Sequence, residues 1–296
     1  MSLIGTAITR FDNFFFSRDE RDVGFLSFLR VSVSLICLVH FCAIWQDFLK
    51  LYGNDGFVPA ELIGLFKTGW VPSFGQLADW LNKSIGISEE TTAIAFKTLY
   101  ISACLTLCCG WIPPLSALVV LSLHLILTKG SPLYAYGIDY FKTIALFYCV
   151  VFFVGNWLIH NHTPFRRVLQ LHLAIVYFFS GAEKSLGYNW HNGEAIWKAI
   201  HLPYLATGVA QQADVLSYFP FVFTLAGWVV ILLELGYPLF INLPKTRKTW
   251  LLAIILMHVC IAISLRLYFF SAMMIMLNIV AFTNLNTYYR SLRSIY

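Results

Sequence analysis

The chain has 296 residues, 59% of them hydrophobic and 12% charged, with a mean hydropathy of +0.72. That balance excludes folding around one soluble core and predicts an all-α, polytopic transmembrane helix bundle. The formal net charge of +5 reads as a topology signal, so it predicts the lipid bilayer as a partner and no nucleic acid.

Residues 1–22, MSLIGTAITRFDNFFFSRDERD, hold both charge signs and no apolar stretch before a small-residue cleavage site. They predict a cytoplasmic N-terminal segment without a cleaved signal. Apolar runs long enough to cross roughly 30 Å of hydrocarbon follow at 24–46, 91–109, 111–128, 140–159, 167–184, 217–242, 249–265 and 267–284. About eight spans are therefore expected within residues 23–285, ahead of a cytoplasmic tail at 286–296. The weakest breaks are GWIPP at 110–114 and SLRLY at 264–268, and a re-entrant hairpin at either would change the topology. Arg10, Arg18, Arg21, Arg166, Arg167, Lys245, Arg247, Lys248, Arg290 and Arg293 fall on one side of this arrangement. By the positive-inside rule both termini are cytoplasmic, in a multi-pass protein of the inner or plasma membrane. The long segments 47–90 and 185–216 then lie outside, and WHNGEAIWKAIHLPYL at 190–205 has the pattern of an interfacial or re-entrant helix.

All seven cysteines lie in or at the predicted spans, which is unlike an extracellular disulfide framework. Cys104 and Cys108 share a helical face and read as small apolar fillers, the alternative being a metal or redox pair. His160 and His162 have a spacing that two metal ligands use, but no third ligand is near, so no metal site is predicted.

Ionisable residues inside spans are costly and face the bundle interior. Counting about 1.5 Å per residue sets Arg30, Glu234 and His258 in one layer towards the cytoplasm. This predicts an Arg30–Glu234 pair capped by His258, fixing helix register or carrying a proton. A second layer, towards the outside, gathers His40, Lys97, His124, Asp139, Lys142, Glu183 and Lys184. Lys97 and Lys142 have an alternative fate, snorkelling to water or headgroups, and Asp139 has one as the cap of the fourth helix. Gln170, Tyr177 and Lys184 recur every seven residues with Gly181 between them, a polar, small-residue stripe that predicts a protein-facing side of the fifth helix. Desolvation of Lys184 would make its amine available as a base. The competing reading of Glu183 and Lys184 is an interfacial anchor.

Several stretches carry a family resemblance: FLSFLRVSVSL in the first span, SPLYAYGIDYFK before the fourth, QLHLAIVYFFSGAEKSLGYNWHNGEAIW, LLELGYPLF, and MHVCIAISLRLYFFSAMMIMLNIVAF. Together they resemble the HTTM family, the membrane domain shared with vitamin K-dependent gamma-glutamyl carboxylase, over roughly residues 20 to 285. Tyr177, Phe178, Gly181 and Lys184, followed by Trp190 and Gly193, match the most telling run. The resemblance implies Lys184 as the base and an extracytoplasmic position for this segment, and Tyr177 and Asp139 join Lys184 as candidate catalytic residues. The nearer likeness is to short bacterial HTTM proteins of the kind that matures sporulation-delaying protein, acting with partners on secreted peptide toxins. The expectation is a possible peptide-modifying enzyme subunit with a peptide precursor, a soluble or membrane-associated maturation partner, and a quinol as candidate cofactor. His40, Lys97, His124, Lys142, Glu183 and Trp190 are its candidate substrate-binding residues. The alternatives are a non-catalytic peptide-binding assembly partner and a proton-coupled transporter.

Overall fold

The computed structural model of the chain describes residues 9, 12–17, 24–66, 69–202 and 218–284. The tail at 286–296, most of segment 1–22 and the end of the 190–205 helix lie outside the described residues. Among the described residues the regular structure is helical, with no strand. Eight helices of at least fifteen residues stand where apolar runs were expected: α1 (Phe25–Ala43), α2 (Glu89–Cys109), α3 (Pro113–Gly130), α4 (Gly137–Ile159), α5 (Thr163–Leu186), α6 (Phe221–Phe240), α7 (Arg247–Leu265) and α8 (Tyr268–Phe282). Six of them are long and apolar enough to cross a membrane. The two others fall short in different ways: α5 has 24 residues but opens with Arg166 and Arg167, and α8 is apolar but has only 15 residues. Large apolar side chains also stand exposed along the qualifying helices, including Val39, Phe147, Val151, Leu225, Leu232 and Leu256. Such surfaces match lipid rather than water, and the chain is a multi-pass membrane protein.

Both doubtful breaks are real helix ends. After α2 the chain turns through Gly110 and Ile112, both left-handed (φ 81° and 44°), and Pro113 opens α3. Proline suits that first position, where its missing N–H has no helical partner to lose. Between α7 and α8 Arg266 takes the left-handed conformation (φ 52°).

The chain divides into two compact units, Gly24–Asn161 and His162 onward with the residues before Gly24. In the first, α1 packs on α2 and α4, and α3 packs between α2 and α4. The 44–88 connector carries short helices at Phe48–Tyr52, Ala60–Phe66 and Phe74–Ile85, the last held at its start by a capping box between Ser73 and Gln76. Phe48 and Phe74 pin this connector to the bundle, with ring centroids 4.9 Å apart. Phe41 stacks on Tyr100 at 4.1 Å beside them, and all four side chains are fully buried.

In the second unit α5 packs along α6, α7 along α8, and α6 also touches α7. The α5–α6 approach is close because of Gly181: a β-carbon there would lie 2.8 Å from the Leu235 amide nitrogen and 2.9 Å from Glu234 Cβ. Short helices Tyr188–His191 and Glu194–Ile200 continue beyond α5 and pack on the first half of α6. There Gly227 abuts the Trp190 carbonyl, leaving no room for a side chain.

Candidate functional site

Each unit buries one polar network. In the first, Asp139 stands in the opening turn of α4, where its Oδ2 accepts from the Tyr136 amide at 3.1 Å. Its Oδ1 lies 2.9 Å from Lys142 Nζ, one turn on. Lys142 also donates to His40 Nδ1 of α1 at 2.8 Å, which leaves the His40 proton on Nε2. His124 of α3 donates from Nε2 to the Asp139 carbonyl at 3.0 Å. Lys142 is 3% exposed, His124 1% and Asp139 7%. Asp139 is thus a cap and an ion-pair partner together. Lys142 does not snorkel, because a carboxylate and an imidazole already satisfy it inside the bundle. Lys97 stands apart from these four, its ammonium 4.5 Å from the centroid of Trp45, a cation–π position. Ser131 Oγ and Tyr134 Oη, in the segment leading to α4, are buried with no hydrogen-bond partner. Tyr52 lies against Tyr134, ring centroids 5.9 Å apart. Burial first, then the Asp139 carboxylate, pushes the Tyr52 phenol well up and that of Tyr136 up to about 12, so both stay protonated donors.

Towards the other end of this unit, Arg30 donates to the Leu107 and Cys108 carbonyls in the last turn of α2, where backbone acceptors lack a full set of helical partners. Gly110 lies against its guanidinium, where a β-carbon would come within 2.9 Å. The expected Arg30–Glu234 pair is therefore replaced: Arg30 caps a helix, and Glu234 has another partner.

That partner is Lys184, in the second unit. Lys184 Nζ lies 2.8 Å from Glu234 Oε2 and 2.5 Å from Ser180 Oγ, one turn back on its own helix. A helical side chain leans towards the helix N-terminus, so the amine points back along α5 instead of out past its end. Glu234 is 6% exposed, whereas the Lys184 side chain keeps 21%. Adjacent Glu183 is exposed and makes no ion pair with it. The depth count failed here because it started every helix at a common plane. The Gly181 contact staggers α5 against α6, bringing the end of one beside the middle of the other.

The exposed part of Lys184 faces a cleft of about 540 Å3 lined by Glu183, Gly187, Tyr188, Asn189, Trp190 and Ala195. The ammonium is 5.3 Å from the Trp190 ring centroid. His191 donates from Nε2 to the Ser185 carbonyl at 2.7 Å, which ties the cleft's short helix back to α5.

Deeper along the same stripe, Tyr177 stacks on Tyr237 with centroids 4.2 Å apart. Tyr237 donates to Asn278 Oδ1 at 2.6 Å, and Asn278 Nδ2 donates to the Tyr177 oxygen at 2.9 Å. Tyr177 then passes its own proton 2.7 Å to His258 Nε2. This direction puts the remaining His258 proton on Nδ1, which is buried without a partner. His258 therefore joins Tyr177 and does not cap an Arg30–Glu234 pair. Gln170, the lower end of the stripe, is buried and bonds to the Ala281 carbonyl.

No family model, curated protein or solved structure matches the chain.

Of the sequence candidates, the structure unites Asp139, Lys142, His40 and His124 in one unit, and separately Lys184, Glu234 and Trp190, with Tyr177 on the stripe below and His258 of α7 bonded to it. Sequence reasoning passed over Ser180, Tyr237 and Asn278. Asn278 did carry a signal, a lone amide in MMIMLNIVAF, since a polar side chain inside an apolar helix seeks an interhelical partner. Among the described residues no three His, Cys, Asp or Glu side chains converge as metal ligands.

Proposed function

We propose that this chain is an HTTM-like protein of the inner or plasma membrane, with eight spans and cytoplasmic termini. It modifies or matures a secreted peptide at the extracytoplasmic face, with Lys184 as the proton-transfer group. The observation carrying this reading is an amine that opens onto a cleft on one side and touches a buried carboxylate on the other. The likeness of the YFFSGAEKSLGYNW segment to the carboxylase membrane domain supports it.

In the resting state Lys184 is an ammonium and Glu234 a carboxylate. A peptide filling the cleft expels water, and an ion pair that loses hydration competes poorly with its neutral form. The Lys184 proton passes 2.8 Å to Glu234, and the freed amine accepts a proton from the substrate. Ser180 Oγ accepts a hydrogen bond from Nζ at 2.5 Å and so restrains the amine beside Glu234. A quinol head is the candidate group for this cleft, which has Trp190 beside the Lys184 amine and Tyr188 in its lining. Such a group, when bound, supplies reducing equivalents, while the chain orients it and handles a proton at Lys184 Nζ.

A second reading, a proton-coupled peptide carrier, has its own observation in the Tyr237–Asn278–Tyr177–His258 chain. The test is mass spectrometry of secreted peptides from the native host, with the gene deleted and then restored as wild type, Lys184→Arg or Glu234→Gln. A product that returns with wild type and is absent with Lys184→Arg, at equal membrane abundance, is the expected result. Full product with Lys184→Arg would sink the base, because arginine keeps the charge but cannot give up its proton.

A further inference from the structure

The connector helix Phe74–Ile85 has 12 residues and three distinct flanks. Phe74, Gly75 and Ala78 form the first, buried against the bundle. Gln76, Asp79 and Lys83 form a second, exposed flank, on which Asp79 Oδ1 accepts from Asn54 Nδ2 at 2.7 Å. Leu77, Trp80 and Leu81, at i, i+3 and i+4, share the third. The bundle leaves this flank open, since Leu77 and Leu81 are only half-buried and Trp80 is 62% exposed. The helix is thus apolar over a wider arc than the protein covers. That is the pattern of a helix lying in a membrane interface.

The height of this helix follows from its anchors. α1 has 19 residues, about 28 Å at roughly 1.5 Å per residue, against roughly 30 Å of hydrocarbon. The turn after Ala43 therefore stands near the edge of the hydrocarbon. Trp45 in that turn lies under the Lys97 ammonium of α2, 4.5 Å from it. Phe48, just beyond, meets Phe96 of α2 and Phe74 with ring centroids 5.5 and 4.9 Å apart, and Phe74 meets Phe96 at 5.6 Å. The connector helix thus starts at the level where α1 ends. Tryptophan and lysine both suit that boundary, the one an apolar ring with a polar edge, the other a charge on an apolar stem. Trp80 follows less than two turns along the helix.

We propose that helix Phe74–Ile85 docks on the phospholipid leaflet that meets the end of α1, with Leu77, Trp80 and Leu81 between headgroups and acyl chains and Lys83 towards water. Lipid is the occupant because the open flank begins at the bilayer surface and carries a tryptophan, a residue enriched there. The proposal is independent of the chemistry at Lys184 and of which side of the membrane the connector occupies. To test it, a photoreactive benzophenone side chain takes the place of Trp80 in one full-length chain and of Lys83 in another, both exposed positions. Each chain is irradiated in phosphatidylglycerol–phosphatidylethanolamine nanodiscs and in native membranes, then weighed as intact protein. A phospholipid adduct at position 80 that is lost at position 83 is the expected result. Adducts alike at both positions, or at neither, overturn the docking, and so does a protein adduct at position 80 in native membranes. Brominated phosphatidylcholine gives a second measurement with a conservative variant. The fluorescence that Trp80→Phe removes should be quenched more by bromine near the headgroup end of the acyl chain than near its methyl end; no quenching, or the reverse order, overturns the proposal.

Discussion

Two lysines that look alike in the sequence are held differently, and the difference is measurable. Lys142 and Asp139 are 3% and 9% exposed at their side chains, whereas Lys184 keeps 21% against 7% for Glu234. Removing one partner of a buried pair strands a charge at a cost of about 3–5 kcal/mol. Lys142→Met should approach that loss, and Lys184→Met should fall below it because water reaches the cleft side of the pair. Denaturant unfolding in detergent checks the order; equal losses would mean that the Lys184 cleft is closed. The residue scale also shows what a sequence hides. The partners of Arg30 are backbone carbonyls, which every residue type supplies, so nothing in the letters at 107 and 108 marks them. The Glu234 partner was hidden for another reason, since it depends on helix stagger.

At the scale of the element, that stagger traces to Gly181. Its missing side chain lets α5 meet the α6 backbone at Leu235, and this sets Lys184 beside Glu234. Gly181→Ala places a methyl 2.8 Å from a backbone nitrogen, so the helices must separate or slide, at about 1–3 kcal/mol. The expected outcome is a lower melting temperature together with loss of the secreted product, even though no ionisable group has changed. Normal product from a Gly181→Ala protein would mean that the pair forms without this approach. The stripe Gln170–Tyr177–Lys184 was legible because a seven-residue spacing keeps side chains on one helical face. Its destinations on α6, α7 and α8 were not, since a period names a face and not the neighbour it meets.

For the whole molecule, the eight-span topology rests on charge asymmetry and on α5 and α8, which fall short of the others in apolarity and in length. Phosphatase reporters fused after Gly86 and after Leu243 separate the possibilities. Activity after Gly86 and none after Leu243 is expected if the Lys245–Lys248 cluster is cytoplasmic. Activity at both places would mean an even number of crossings between them instead of the five expected, and a different orientation for the second unit.

Composition and apolar run length by themselves determined the class, the helix positions and the breaks at 110–114 and 264–268. Helix formation in lipid depends on local backbone satisfaction and on side-chain transfer, both written residue by residue. Pairing was decided by the tertiary structure alone: Glu234 with Lys184, Arg30 with the end of α2, His258 with Tyr177. A buried polar group takes whichever partner the packing brings within 3 Å or so, and packing is a property of two surfaces at once.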